Sequence, residues 1–286
     1  MDNMLITPIK SDIIIPKNVF VKSFYDGIII PSMKKHSKYL INFFNILCKD
    51  CNIIKYEDNQ YVYTNFLNML ERINKGKTIA QLLGNMGEAI IVRRCNENED
   101  INKKWMKVAS KNSEFNLDSS KFAAVGTGLY RTRVSNVYSH YYSPCDTQRD
   151  IIWAYKDNPN NQFIIPNNIN SGFVGGLQVK TSFDGYKYFG KDLINNRYIV
   201  PIVYFDLCND FYSVYLNSIL NGYNGRIEYD LIDVKQIDID AYNEMIFYKD
   251  YIYALAENKI DVKNFVESGY KTPIGNAIVK MLQTET

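Results

Sequence analysis

The chain has 286 residues, 46% hydrophobic and 22% charged, enough apolar mass for one large globular domain or two smaller ones. No run approaches the ~20 apolar residues of a membrane span, no basic start leads into an apolar leader, and five scattered cysteines make a disulfide framework a poor reading. A cytoplasmic protein with no membrane partner is expected. Basic and acidic side chains nearly balance (33 against 31), yet residues 119–191 carry 8 basic against 4 acidic and residues 192–286 carry 8 against 14. That favours a local polyanion site over a surface coated for nucleic acid.

Ile13-Ile14-Ile15-Pro16 and Ile28-Ile29-Ile30-Pro31 are apolar runs stopped by proline, which suits edge strands or packing arms. From Met33 the pattern turns helical, with Tyr39, Leu40, Phe43, Phe44 and Leu47 at helical spacing. A second helix is predicted over 61–74, with Phe66, Met69 and Leu70 inward, ended by Asn74-Lys75-Gly76. A third runs over 78–94 on the stripe Ile79, Leu82, Leu83, Met86 and Ile90.

Glu88 lies opposite that stripe at about 100° per residue, which by itself describes a solvated carboxylate. Ile91 and Val92 also leave the stripe, however, so this end of the helix is apolar on more than one side. A carboxylate there, flanked by Gly84 and Gly87, can face a second layer at close range.

Residues 96–118 are polar, with a short helical patch around Trp105. Gly126-Thr127-Gly128 follows, without the Gly-Lys-Ser/Thr ending that a phosphate loop needs. Behind it, Tyr130, Arg131, Arg133 and Tyr138 interleave guanidinium with rings. That suits phosphate contact and base stacking; a tyrosine-rich loop packed on the domain is the alternative.

A strand is predicted over 150–155, opened by Asp150 on the face of Ile152 and Ala154, then an Asn/Pro-rich connection over 156–171. Two glycines lead into Leu177-Gln178-Val179-Lys180-Thr181, where alternation puts Leu177, Val179 and Thr181 on one face and Gln178, Lys180 and Ser182 on the other. Residues 198–205 form the most apolar strand candidate, with Pro201 needing a bulge or an unpaired position. Residues 211–216 are predicted to pair with it as a hairpin. Helices over 240–257 and 260–283 complete the chain.

Glu88 on a helix, Asp150 opening a strand, and Gln178 and Lys180 on the next strand form a set suited to metal-assisted phosphodiester hydrolysis. Carboxylates bind Mg²⁺, a hard ion with oxygen ligands. The ion polarises a phosphoryl oxygen and lowers the pKa of water, and a lysine one pleat away can orient that water or stabilise charge building on phosphorus. Asp146 and Asp157 are alternatives to Asp150.

This order resembles the PD-(D/E)xK, or restriction-endonuclease-like, nuclease superfamily. It is closest to the Gln-x-Lys variant seen in Mrr-type restriction enzymes and some Holliday-junction resolvases. The resemblance spans 88–216 and implies an α/β fold with an αβββαβ core on a mixed sheet over 76–220. Residues 1–75 and 221–286 would be flanking helical regions, the first partly extended. It implies Mg²⁺ (or Mn²⁺) held by Asp150, Gln178 and Glu88, with Lys180 assisting the attacking water. DNA would be the substrate, in prokaryotic or phage restriction, defence or recombination, and a homodimer would serve to cut both strands. A junction-resolving nuclease and an inactive nucleic-acid- or protein-binding module of the same fold are the alternatives.

Cys48-x-x-Cys51 has the spacing of half a zinc site, but no second pair follows and only His36 and His140 add imidazoles. Two reduced thiols are the better reading. No Gly-x-Ser-x-Gly elbow supports a serine nucleophile.

Overall fold

A computed structural model describes residues 31–58, 60–72, 75–111, 118–165, 173–263 and 265–266. The two isoleucine-proline arms, apart from Pro31, and most of the predicted 260–283 helix lie outside these residues.

Helix α1, Pro31–Asn45, continues into a π-type turn, Ile46–Asp50, and a small antiparallel hairpin pairs Lys55–Glu57 with Gln60–Val62. Helix α2 is Thr64–Glu71, α3 is Lys75–Glu97 and α4 is Glu99–Ala109. The Lys75-Gly76 pair therefore starts α3 and does not end α2, which stops where Arg72 turns extended. The polar stretch around Trp105 is a full helix. It is capped by the Asn98 side chain accepting from Ile101 N–H, with Glu99 and Asp100 in the first turn, where the helix dipole favours negative charge.

A five-stranded mixed sheet follows, ordered as in the sequence: β1 Phe122–Gly126, β2 Ile151–Tyr155, β3 Gly176–Ser182, β4 Ile202–Asp206 and β5 Leu231–Asp233. The first three run antiparallel, and β3, β4 and β5 run parallel. Short helices α5, Tyr130–Arg133, and α6, Lys191–Ile194, lie in the β1–β2 and β3–β4 connections. Helix α7, Phe211–Leu220, follows β4, and α8, Ile239–Ala256, follows β5. The fold is therefore mixed α/β. Among the described residues no helix is long and apolar enough to cross a membrane.

Three predictions change here. Residues 211–216 are not a strand but open α7, and β4 takes β5 as its second neighbour instead of a hairpin partner. Asp206 drives the switch: its carboxylate accepts the N–H groups of Asp210 and Phe211, starting the helix directly after the strand. Phe211, Val214 and Ser218 then bury at helical spacing. The strand predicted over 198–205 begins only at Ile202, with Pro201 ahead of the ladder offering its carbonyl to Gln178 N–H. Residues 122–126, not read as a strand from the sequence, form the edge strand β1.

One face of the sheet is covered by α3, whose Leu83, Met86, Ile90 and Ile91 are all 0% exposed and meet Ile151, Trp153, Leu177 and Val203. At about 1.5–3 kcal/mol for each large apolar side chain removed from water, this layer fixes where α3 sits on the sheet. Phe43 and Leu47 of the α1 segment and Met245, Tyr248 and Ile252 of α8 share the same core. The opposite face carries a second cluster, with Ile202 and Tyr204 packed on Phe189, Leu193, Phe211 and Val214.

A candidate metal-binding active site

Strands β2 and β3 pair only through Ile151 with Leu177 and Ile152 with Gly176. Asp150 N–H still reaches the Leu177 carbonyl at 2.9 Å, and beyond that the strands part. The Asp150 carboxylate fills the gap: its Oδ2 accepts Val179 N–H at 2.7 Å and the Gln178 side-chain amide at 2.5 Å. Gln178 N–H turns to β4 and bonds the Pro201 carbonyl. Asp150 is thus held where the ladder opens, by the chain that carries Gln178 and Lys180.

An ionised carboxylate only accepts hydrogen bonds, so the contact fixes which end of the Gln178 amide faces Asp150. Its Oε1 points the other way, is buried, and accepts no hydrogen bond among the described residues. Gln178 as a whole is 5% exposed. Burying a carbonyl without a partner is costly.

Glu88 comes to this region from α3. It is 6% exposed, and its Oε1 accepts the Gly128 N–H at 2.9 Å. The next amide back, Thr127 N–H, bonds the Asp150 carbonyl at 2.8 Å. The Gly126-Thr127-Gly128 turn after β1 therefore joins the two acidic positions. Its glycines are there for close approach: a Cβ on Gly126 would stand 2.6 Å from Glu88 Oε1, and one on Gly128 3.1 Å from Oε2. Glu88 faces a second layer, and not solvent.

Burial pushes the Asp150 carboxyl up to about 6, even though Lys180, the Val179 amide and Gln178 pull it down. Burial, reinforced by the negative charge of Asp150, pushes Glu88 well above the ordinary carboxylate range, against the pull of Gly128 N–H. Lys180 is lowered from its usual value by burial, partly offset by Asp150 and Asp192. Two carboxyls raised together, one on α3 and one at the opening of β2, beside a buried β3 carbonyl that accepts no hydrogen bond among the described residues, describe a site short of positive charge. The donors are all oxygens, the chemistry of a hard divalent cation. On that count Asp150, Glu88 and Gln178 fit Mg²⁺ or Mn²⁺, and no thiol or imidazole is needed.

Compared with family models, curated proteins and solved structures, the chain matches none.

The other sequence candidates fall apart from this set. Asp157 lies past Tyr155 at the far end of β2, roughly 20 Å from Asp150 at the ~3.3 Å rise of a strand. Asp146 stays on the approach to Asp150 and raises its pKa, but it is occupied by Gln148 N–H, Arg149 N–H and the Arg149 guanidinium at 3.7 Å. Tyr130, Arg131 and Arg133 sit on α5, and Tyr138 packs on the Val125–Ile152 cluster. Arg131 is not a free phosphate ligand, because it binds the buried Asp50 carboxylate, Nε to Oδ1 at 2.7 Å and Nη2 to Oδ2 at 3.0 Å. Arg133 is exposed, and among the described residues it reaches only the Tyr142 ring, 5.9 Å away.

Asp50 was missed because its partner lies 81 residues away. Burial pushes its carboxyl to about 6 against the pull of Arg131, and its charge adds to the rise at Glu88. The cysteines are free, and burial pushes the Cys48 thiol to about 11, far from the thiolate a zinc site needs. A separate grouping, Asp206, Cys208 and Asp210, brings ligand atoms within 4.8 Å of one another. Its groups are already engaged: Asp206 caps α7, Asp210 accepts Tyr204 O–H and Gly185 N–H, and Cys208 S–H donates to the Phe183 carbonyl.

Proposed function

We propose that the chain is a divalent-metal-dependent endonuclease acting on DNA, with a restriction-endonuclease-like core built from α3, β1, β2, β3, α6 and β4. The observation that carries the reading is the Gln178 amide. Its N–H end is spent on Asp150, and its carbonyl end is buried and accepts no hydrogen bond among the described residues, one pleat from Lys180. Setting aside α4 and the short α5 as insertions, the helix, three antiparallel strands, crossover helix and parallel strand follow in the order that supports the αβββαβ assignment.

Asp150 and Gln178 Oε1 would hold the cation, with Glu88 completing the site from α3. A divalent cation supplies Lewis acidity to a phosphodiester and lowers the pKa of water. The chain's own residues do the rest. Gln178 and Val179 N–H orient Asp150. Gly128 N–H orients Glu88. Lys180, its pKa lowered by burial, stands close enough to Asp150 to feel its charge and can stabilise the negative charge that builds on a phosphoryl group. The basic tyrosine-rich loop contributes Arg133 to a DNA approach.

Supercoiled plasmid incubated with Mg²⁺, with Mn²⁺ and with EDTA tests this. Wild type should nick or linearise it only with the cations, and Asp150→Ala and Lys180→Ala should be at least about a hundredfold slower. Cleavage unchanged by either substitution would remove the active site. Tight, salt-sensitive DNA binding without cleavage would instead leave a binding module. Faster cutting of branched than linear DNA would mark a junction-resolving enzyme.

A further inference from the structure

Lys180 leaves β3 on the face away from Val179, and among the described residues its ammonium makes no hydrogen bond or ion pair. What surrounds it is aromatic. Nζ lies 5.1 Å from the centre of the Tyr198 ring and 5.7 Å from that of Tyr188, both inside the ~6 Å reach of a cation–π attraction. The charged groups that act on it are Asp150, Asp192 and Arg197.

We propose that Tyr188 and Tyr198 form an aromatic clamp that positions the Lys180 ammonium. The inference rests on the nuclease reading only for its effect on rate; the holding of the side chain stands without it.

The two rings are themselves placed. Tyr198 O–H donates to Asp192 Oδ2 at 3.1 Å, and the Arg197 guanidinium donates to both Asp192 oxygens at 3.1 and 3.0 Å. Arg197 N–H closes the loop onto the Asp192 carbonyl at 2.9 Å. Tyr188 comes from the π-type turn, Tyr186–Gly190, that leads into α6, and meets Phe189 edge-on. The crossover between β3 and β4 thus folds back over the Lys180 side of the sheet and brings one ring from each of its ends.

Chemistry favours rings over a carboxylate in this role. An ion-pair partner would occupy the ammonium N–H donors and neutralise the charge. An aromatic face attracts the cation without accepting those hydrogens in line, so three donors stay free for a phosphate oxygen or a water. Tyr188 and Tyr198 are positioning residues in this account, acting through Lys180.

The test compares wild type with Tyr188→Leu, Tyr198→Leu, Tyr188→Phe and Tyr198→Phe in the full chain. The Lys180 ε-methylene order parameter is read by ¹³C relaxation, with its signal assigned by Lys180→Arg. Each leucine should lower the order parameter; Tyr188→Phe should hold it near wild type, since the ring is kept, and Tyr198→Phe, which keeps the ring but gives up the bond to Asp192, should lose less order than Tyr198→Leu. In plasmid cleavage each leucine should lower kcat about two- to fivefold with KM unchanged, with Tyr188→Phe near wild type and Tyr198→Phe faster than Tyr198→Leu.

Equal Lys180 order in leucine variants and wild type would overturn the clamp, as would phenylalanine behaving like leucine. Wild type that cuts no DNA would sink the nuclease reading and leave the relaxation comparison to decide the clamp. If Tyr198→Leu does not fold, Tyr188→Leu decides alone, because that side chain is 58% exposed.

Discussion

Gln178 donates its side-chain amide to Asp150 at 2.5 Å, at the point where β2 and β3 stop pairing. The contact sets the direction of the whole amide and leaves Gln178 Oε1 buried without a hydrogen bond among the described residues. Replacing the donor with an acid makes a sharp prediction. Gln178→Glu puts a second carboxylate beside Asp150, so in EDTA the melting temperature should fall, by like-charge repulsion in a buried place. With Mg²⁺ most of that loss should be recovered, because the cation binds only the folded site. The measurement is a pair of thermal melts. An equal loss with and without Mg²⁺ would show that the amide serves packing alone.

Acidity should stabilise the metal-free protein. Asp150 and Asp50 are both raised to about 6 by burial, and Glu88 is raised well above the ordinary carboxylate range by burial as well. A carboxyl whose folded pKa exceeds its unfolded value of about 4 contributes stability that is complete below about pH 4 and lost as pH rises through the folded pKa. Urea midpoints in EDTA should therefore be higher at pH 5 than at pH 8. Asp206 runs the other way, since its folded pKa is lowered and its contribution is lost only in more acidic solution, outside this window. Asp150→Asn should flatten part of the pH 5–8 slope. An Asp150→Asn protein with the wild-type slope would contradict the assignment.

Arg131 and Arg133 should separate stability from DNA binding. Arg131→Ala strands the Asp50 carboxylate, 4% exposed, and should cost about 1–3 kcal/mol in urea unfolding. Arg133→Ala should leave stability unchanged and lower the salt dependence of DNA affinity by about one ion. If Arg133→Ala binds DNA as wild type does, the loop does not belong to the DNA approach.

Gly126→Ala should disturb Glu88 more than Gly128→Ala. The added methyl would press on Glu88 Oε1 and on Leu129 Cδ1, both at 2.6 Å, in a core that has no slack. A loss of about 1–3 kcal/mol is expected for Gly126→Ala and less for Gly128→Ala, where the nearest atom lies at 3.1 Å. Equal melting temperatures for the two variants would mean that the turn yields freely.

What the sequence made legible was mostly local. The alternation Leu177-Gln178-Val179-Lys180 announced both the strand and its two faces, and Asp150 was visible at a strand opening. Ile91 and Val92 hinted that Glu88 was covered, and they are 0% and 3% exposed.

What stayed hidden was set by distant partners. β1, with every residue buried, shows no alternation that would mark it as a strand. Phe211-Tyr212-Ser213-Val214-Tyr215-Leu216 has strand composition, and tertiary context overrode it through the Asp206 carboxylate ahead of the helix. The three residues of β5 are too short to carry a pattern. The pairing of Asp50 with Arg131 and the joining of Glu88 to Asp150 through Gly126-Thr127-Gly128 both need the fold before they exist.

The most direct measurement is Mn²⁺ binding to the full chain at pH 7.5, followed by electron paramagnetic resonance. Wild type should bind one ion per chain at this site, and Asp150→Asn and Glu88→Gln should each weaken that binding tenfold or more. Asp206→Asn, at the engaged acidic turn, should leave it unchanged. Binding that survives intact in both Asp150→Asn and Glu88→Gln would contradict the account.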